Sequence, residues 1–180
     1  VALLSTLVSF SAAYGIRHCE NRLIQHIIRF TATIPVAIST MVVGLGLILS
    51  WGSYPWIKNY LLGVIIIQTC SILPLGFRIF EEGFSLIDPE IYKTAQSLGA
   101  NKDFQLLWME MPLLRKHFIL VLTTALGISL GESSSLLLFE SQGVNTLSLW
   151  MFRLMGKYQF EQAYVVGLVL IVMTIIIPSS

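Results

Sequence analysis

Long apolar runs, broken by one extended polar stretch, set the pattern of this chain. The runs cover Val1–Ile16, Phe30–Trp51, Tyr60–Phe80, Phe118–Phe139 and Tyr164–Pro178. Several reach the roughly 20 residues needed to cross a hydrocarbon core. The pattern therefore predicts an all-α fold, a polytopic transmembrane helical bundle with about five spans in one domain over residues 1–180. A basic connection from Arg17 to Arg29, an aromatic turn at Gly52–Trp56, the polar segment Glu81–Lys116 and a mixed loop Glu140–Gln162 join the runs. Tyr54 and Trp56 in the turn suit the membrane interface. Pro35 and Pro74 interrupt two of the spans, and each frees a backbone carbonyl that neighbouring groups must satisfy. Thr31, Thr33, Ser39 and Thr40 are available near Pro35, and Gly44 and Gly46 offer either ordinary packing or a close helix contact.

Composition agrees with this pattern. The 180 residues are 55% hydrophobic and 12% charged, against about a quarter charged in soluble domains, and mean hydropathy is +0.77. The net charge of +1 gives no footprint for nucleic acid. Position matters more than the sum. Five spans place Arg17, Arg22, Arg29, Arg78, Lys93, Lys102, Arg115 and Lys116 on one side, eight of the eleven basic residues. Basic residues prefer the cytoplasm, so the polar segment is expected there, as a cytoplasmic coupling segment over residues 81–117. The first residue is Val, the outer runs look short, and Val1–Ile16 lacks the basic flank of a signal peptide, so the chain reads as part of a longer one.

Catalytic and metal chemistry has little support. Gly156-Lys157 lacks the leading glycine and the hydroxyl residue of a phosphate-binding loop. No serine stands in a Gly-x-Ser-x-Gly elbow. His18, His26 and His117 fall at membrane edges without metal-ligand spacing and read as interfacial residues. Cys19 and Cys70 lie in or beside spans, where a structural disulfide is not expected.

The polar segment has a defined internal order. Asp88-Pro89-Glu90 is a helix start, with Asp as the N-cap, Pro at the first position and Glu at the positive end of the dipole. The helix should run from Pro89 to about Leu98 and stop at Gly99, which tolerates a left-handed conformation. Ile91, Ala95 and Leu98 then share a face. Asn101 can cap a second short helix with Phe104, Leu107 and Trp108 on its apolar side, ended by Pro112. Two such helices can lie on lipid or dock into a protein. The acids Glu81, Glu82, Asp88, Glu90, Asp103 and Glu110 outweigh the bases, which favours a protein partner.

This segment resembles the EAA loop of ABC-transporter permeases of the binding-protein-dependent importer type. The loop reads Glu-Ala-Ala, three residues, Gly, nine residues, Ile, one residue, Leu-Pro. The matching positions are Lys93-Thr94-Ala95, Gly99, Met109, Met111 and Pro112. Arg78, Asp88-Pro89, Ser97–Ala100, Ile34-Pro35 and Gly44-Leu-Gly46 resemble the family's flanks. Lys93 and Thr94 replace the glutamate and the middle alanine, which removes the carboxylate of the family's salt bridge. The resemblance implies a coupling helix seated in a cleft of a cytoplasmic ABC ATPase subunit. It also implies an extracytoplasmic binding protein, a second permease half or copy, and a place in the cell inner membrane. Lys93, Thr94, Ala95, Gly99, Ala100, Phe104, Leu107 and Pro112 would form the ATPase-coupling surface, with Ala95 and Gly99 allowing close approach. No cofactor is expected in this chain, because ATP and Mg would be bound by the partner ATPase.

Glu132, in Ser129-Leu-Gly-Glu132-Ser133, is the only acid deep in an expected span, about 20 Å along the helix from Phe118. An ionisable residue in a membrane is costly and marks a functional site by default. Glu132, Ser129 and Ser133 are candidates for the translocation path or its outer gate; an interhelical hydrogen bond is the plainer alternative. Thr146–Met155 has near-helical apolar spacing and suits a helix at the outer interface or a contact with a binding protein. The stretch from Ser129 to Ala163 resembles thiamine permeases, although iron(III), polyamine and sulfate permeases share much of the layout. An intramembrane enzyme centred on Glu132 and an ion-driven secondary transporter are the readings from other classes. The enzyme leaves the polar segment unexplained, and the secondary transporter predicts uptake that depends on an ion gradient and not on ATP.

Overall fold

The computed structural model describes residues 1–19, 21–51, 60–132, 137 and 146–179, and all the regular elements among them are helical. The first, α1, spans Ala2–His18 and buries Ala2, Ser5, Thr6, Ser9, Phe10 and Ala13, a stripe at three- and four-residue spacing. Most of that stripe is small, so its partner backbone can come close. The partner is α4, Tyr60–Ser85, and Gly76 marks the crossing. A Cβ on Gly76 would lie 2.5 Å from Ser9 Oγ and 2.9 Å from Ser9 Cβ, and Ser9 Oγ donates to the Leu73 carbonyl at 3.4 Å. Gly44 and Gly46 suggested a close contact in the second apolar run. Gly44 is buried and Gly46 faces open space, and Val43, Leu47 and Ile48 meet Val64 and Ile67 of α4.

The second apolar run is not a single helix. Arg22–Thr33 forms α2, a 3₁₀ turn covers Ile34–Ala37, and α3 runs from Thr40 to Trp51. The segments on either side of the break meet at 100°. Pro35 explains the break: it has no N–H to donate and sits in the first turn of the 3₁₀ segment. Thr33 Oγ1 bonds the Arg29 and Phe30 carbonyls rather than the one that Pro35 frees. The expected basic connection is therefore largely helical, with Asn21 capping α2 through the Leu23 N–H. The side of α2 that meets the protein carries Gln25 and Ala32: Ala32 is buried, Gln25 Nε2 donates to the Cys19 carbonyl at 2.6 Å, and the exposed Arg29 pairs with Glu81 at the edge. Its apolar side faces outward, with Leu23 72% and Phe30 67% exposed. Arg22, His26 and Arg29 are exposed as well, so α2 turns both an apolar and a basic face outward, which suits a membrane interface.

Helix α4 continues past the expected end at Phe80. Phe84 stays buried, and Gly83 lies so close to His117 that a Cβ would meet its ring at 2.8 Å. One face of α4 is thus still covered, and the helix persists although Glu81 and Glu82 stand on its other sides. Pro89–Ser97 forms α5 and Lys102–Gln105 forms α6. A π-turn at Leu106–Glu110 leads into the single turn α7, Met111–Leu113. Helix α8 covers Arg115–Gly131 and packs on α1 and α4. The main core gathers Phe10, Phe77, Phe80, Phe84, Ile87, Leu114 and Val121. The Phe10, Phe80 and Phe118 rings within it lie 4.8–5.4 Å apart, spacings at which aromatic pairs attract.

The last two helices, α9 (Leu147–Gly156) and α10 (Phe160–Ser179), pack against each other through Leu154, Ala163 and Val166. The helix expected over Thr146–Met155 is present, and Thr146 caps it by accepting from the Leu149 N–H. Helix α10 starts at Phe160, earlier than the expected Tyr164. Helix α8 ends at Gly131, within the run expected to reach Phe139; residues 133–136 and 138–139 of that run, the turn at 52–56 and the loop portion 140–145 lie outside the described residues. Leu62–Ser85 is long and apolar enough to cross a membrane on its own. Arg22–Ala37 with Thr40–Ser50, and Leu106–Leu113 with Arg115–Gly131, reach that length as bent pairs, and Phe160–Ile176 is a shorter apolar helix.

Candidate coupling surface and polar crossing region

Helix α5 is bounded as its residues dictate. Asp88 Oδ1 accepts from the Glu90 N–H at 2.9 Å, and Pro89 occupies the first helical position. At the other end Gly99 adopts φ +82°, which lets the Ala100 N–H reach back to the Ala95 carbonyl at 3.0 Å. That six-to-one bond is the glycine-ended helix stop. Asn101 Oδ1 then accepts from the Phe104 N–H at 3.1 Å and opens α6. Pro112 does not end this segment, as its position suggested. It lies in the first turn of α7, where a missing N–H costs little. The chain breaks two residues later at Leu114 and bends by 61° into α8.

Between α5 and the segment after Gly99 lie two adjoining open grooves. One is lined by Asp88, Glu90, Ile91, Thr94, Ala95, Leu98 and Met109. The other shares Ala95, Leu98 and Met109 and adds Gly99, Ala100, Asn101 and Phe104. Ile91, Leu98, Phe104, Leu107 and Trp108 all leave apolar surface exposed, and the Phe104 and Trp108 rings stack with centroids 6.2 Å apart. A Cβ at Gly99 would meet nothing within 4 Å. Of the expected coupling residues, Thr94, Ala95, Gly99, Ala100 and Phe104 line the grooves, and Leu107 and Pro112 lie exposed beyond them. Lys93 is exposed on the opposite side of α5 from the Ile91–Ala95–Leu98 stripe and forms no ion pair among the described residues.

Beneath this surface lies a cluster that the sequence did not signal. Glu110 is 1% exposed, although it looked like one more acid of a solvated segment. Its Oε1 accepts from Tyr92 Oη at 2.8 Å and from His18 Nε2 at 3.1 Å. The Arg17 guanidinium lies 5.3 Å from the centre of the Tyr92 ring and donates to the Ile87 carbonyl at 3.5 Å. Burial, reinforced by the Glu110 carboxylate, pushes the Tyr92 phenol up to about 12. Ninety-two residues separate His18 from Glu110, so no local pattern could have paired them. An acid between two methionines, Met109 and Met111, was the available hint.

A second polar region lies around the far end of α8. Ser129 Oγ donates to Gln68 Oε1 at 2.9 Å, and Thr40 Oγ1 donates to Glu132 Oε1 at 3.3 Å. Ser148 donates to the Leu130 carbonyl. Helices α3, α4, α8 and α9 thus meet through polar side chains within one turn of α8. Glu132 is the C-cap of α8 rather than a residue inside a continuing helix. Ser133 lies outside the described residues. Among the described residues no group of His, Cys, Asp or Glu could hold a metal ion.

A bent helical bundle with apolar outward faces, an exposed two-helix surface at one polar segment and a polar seam between helices is the layout of a membrane permease. Residues 5–180 match the family described as binding-protein-dependent transport system inner membrane component, and the chain belongs to that family. It is 25% identical over 145 residues to PhnV of Salmonella typhimurium, a permease protein provisionally named for 2-aminoethylphosphonate transport, covering 80% of this chain and 55% of PhnV. It is 24% identical over 192 residues to NifC of Clostridium pasteurianum, a probable transport system permease protein, covering 98% of this chain and 67% of NifC. The thiamine transport system permease protein ThiP of Brucella abortus is 22% identical over 171 residues, 94% of this chain and 31% of ThiP. These relatives are transport permeases, not enzymes.

Proposed function

We propose that this chain is the ATPase-docking and solute-conducting core of a permease in an ATP-driven ABC importer. It would lie multi-pass in the cell inner membrane, with residues 81–117 on the cytoplasmic face. The single observation that supports this best is the open apolar groove at Ala95, Leu98, Gly99 and Phe104 in a chain of this family. An exposed leucine, two exposed aromatic rings and an uncrowded glycine form a surface suited to a protein cleft. A cytoplasmic ABC ATPase subunit is the partner, and it binds the ATP and Mg. A second permease half or copy completes the path, and an extracytoplasmic binding protein delivers the solute.

Glu132, Ser129 and Ser133 remain our candidates for the path or gate, now with Thr40 and Gln68 beside the first two. A carboxylate there favours a solute bearing positive charge. Thiamine, carried by the name of ThiP, fits that preference. 2-Aminoethylphosphonate, carried by the name of PhnV, offers an ammonium group with an opposing phosphonate. Iron(III) and polyamines are further cations, and sulfate is disfavoured on charge.

The docking reading is tested with the intact transporter. Gly99→Asp places a charged side chain in the groove, and it is expected to abolish co-purification of the ATPase while membrane insertion stays normal. Undiminished ATPase binding by that variant would remove the docking assignment. Titration of the cognate binding protein with thiamine, 2-aminoethylphosphonate, iron(III), spermidine and sulfate decides the solute.

A further inference from the structure

Helix α5 has a thin hold on the bundle. It makes few close contacts with any other helix, and among the described residues Tyr92 is the hydrophobic side chain of α5 packed against the main core. A load applied at the open face of α5 therefore reaches the bundle through the chain ends of α5 or through Tyr92. The Tyr92 hydroxyl ends on Glu110, and Glu110 ends on His18, the last residue of α1. Arg17, one residue earlier, reaches both the Tyr92 ring and the carbonyl of Ile87 just before α5. His18 in turn lies against Tyr14, with ring centroids 4.3 Å apart and planes tilted by 44°, beside the aromatic core. From there α1 runs along α4 and meets it closely at Ser9 and Gly76.

We propose that Tyr92, Glu110 and His18 are positioning residues that carry displacement of the coupling helix α5 into the first span. The inference rests on the docking reading above and names the inner joint of the same surface. Glu110 Oε2 is buried and has no hydrogen-bond partner among the described residues. A half-satisfied buried carboxylate is expensive, and a plain structural tie would be better served by an apolar residue at this position. Directional bonds do what apolar packing does not: they hold three separate segments in one geometry and move them together. The bent path from α6 through the π-turn places Glu110 at the joint, and such turns often accompany functional sites. A contiguous set of contacts is not in itself coupling, so the test must measure movement.

The native Cys19, next to His18 and partly exposed, provides the probe. In the intact transporter with its other cysteines replaced, the rate of Cys19 modification by a water-soluble maleimide is measured without nucleotide and with ATP plus vanadate. The nucleotide-dependent change should be clear in the parent protein. It should shrink by about 2- to 30-fold in Tyr92→Phe and Glu110→Ala, the range of coupling changes seen for residues between linked sites. Glu110→Gln, which still offers an amide oxygen to Tyr92, should restore much of it. ATPase affinity should change by less than about twofold in all three. If Glu110→Ala does not fold, Tyr92→Phe, which removes a single oxygen, decides alone. No nucleotide-dependent change in the parent, or an undiminished change in Tyr92→Phe, would overturn the inference. So would a loss of ATPase affinity in step with the signal, which would assign these residues to holding the surface. Failure of the parent transporter to bind its ATPase would instead overturn the docking reading, and that appears before any variant is made.

Discussion

Leu98 offers the sharpest measure of the proposed docking surface. It is 82% exposed in this chain and lines both grooves. Leu98→Ala removes three carbon atoms, worth about 0.8 kcal/mol each when fully buried. Scaling by the exposed fraction leaves about 2 kcal/mol available to a partner that covers the site, which corresponds to about a 30-fold weaker Kd. The same change should alter the stability of the permease itself by less than about 0.5 kcal/mol, as for surface substitutions generally. The assay is titration of ATPase subunits onto the transporter held in lipid nanodiscs, with a thermal melt as the stability check. Leu49→Ala serves as the control: Leu49 is similarly exposed, on α3 within an apolar run, and should leave Kd unchanged. A change below about threefold for Leu98→Ala, or an equal change for Leu49→Ala, would refute the reasoning.

Two further predictions concern the bundle and its joint. Gly76→Ala should destabilise the permease by about 1–3 kcal/mol, because its Cβ would lie 2.9 Å from Ser9 Cβ, a backbone-fixed atom that cannot rotate away. Adding Ser9→Gly should recover more than half of the loss, as read from unfolding in mixed micelles, and absence of recovery would place the clash elsewhere. The Tyr92 phenol, raised to about 12, should titrate about two units above the ordinary tyrosine. Its neutral form is the one that donates to Glu110, so this contribution to stability is fully present below about pH 10 and is lost as pH rises through the folded value. The difference in tyrosinate absorbance between the parent and Tyr92→Phe checks this, and a midpoint near 10 would contradict it.

Helix ends were the most legible part of this molecule. Asp88, Gly99, Asn101 and Thr146 each act on backbone groups within five residues of themselves, so their effect can be read from neighbours in the chain. The outward apolar runs were legible for a similar reason, since hydrocarbon selects composition one segment at a time. Pro35 announced a disturbance, but not a 100° turn between two helices. The angle depends on what holds each half: Arg29 ties α2 to Glu81 of α4, and Val43, Leu47 and Ile48 pack α3 onto Val64 and Ile67 of the same helix. Glycines were half legible. Of the conspicuous pair, Gly44 is buried and Gly46 faces open space, whereas the close approaches at Gly76 and Gly83, where Ser9 and His117 face them, carried no mark in the sequence.

The sequence by itself determined the class of this protein and the two-helix form of its polar segment. These follow from hydropathy and capping, both of which are local. Only the tertiary structure decided what Glu110 is. Burial is a property of everything packed around a residue, and the partners of this carboxylate come from α1 and α5, far apart in the chain. The same acid that reads as one of several surface charges along the chain becomes, once the helices meet, a buried acceptor for Tyr92 and His18 beneath the exposed two-helix surface.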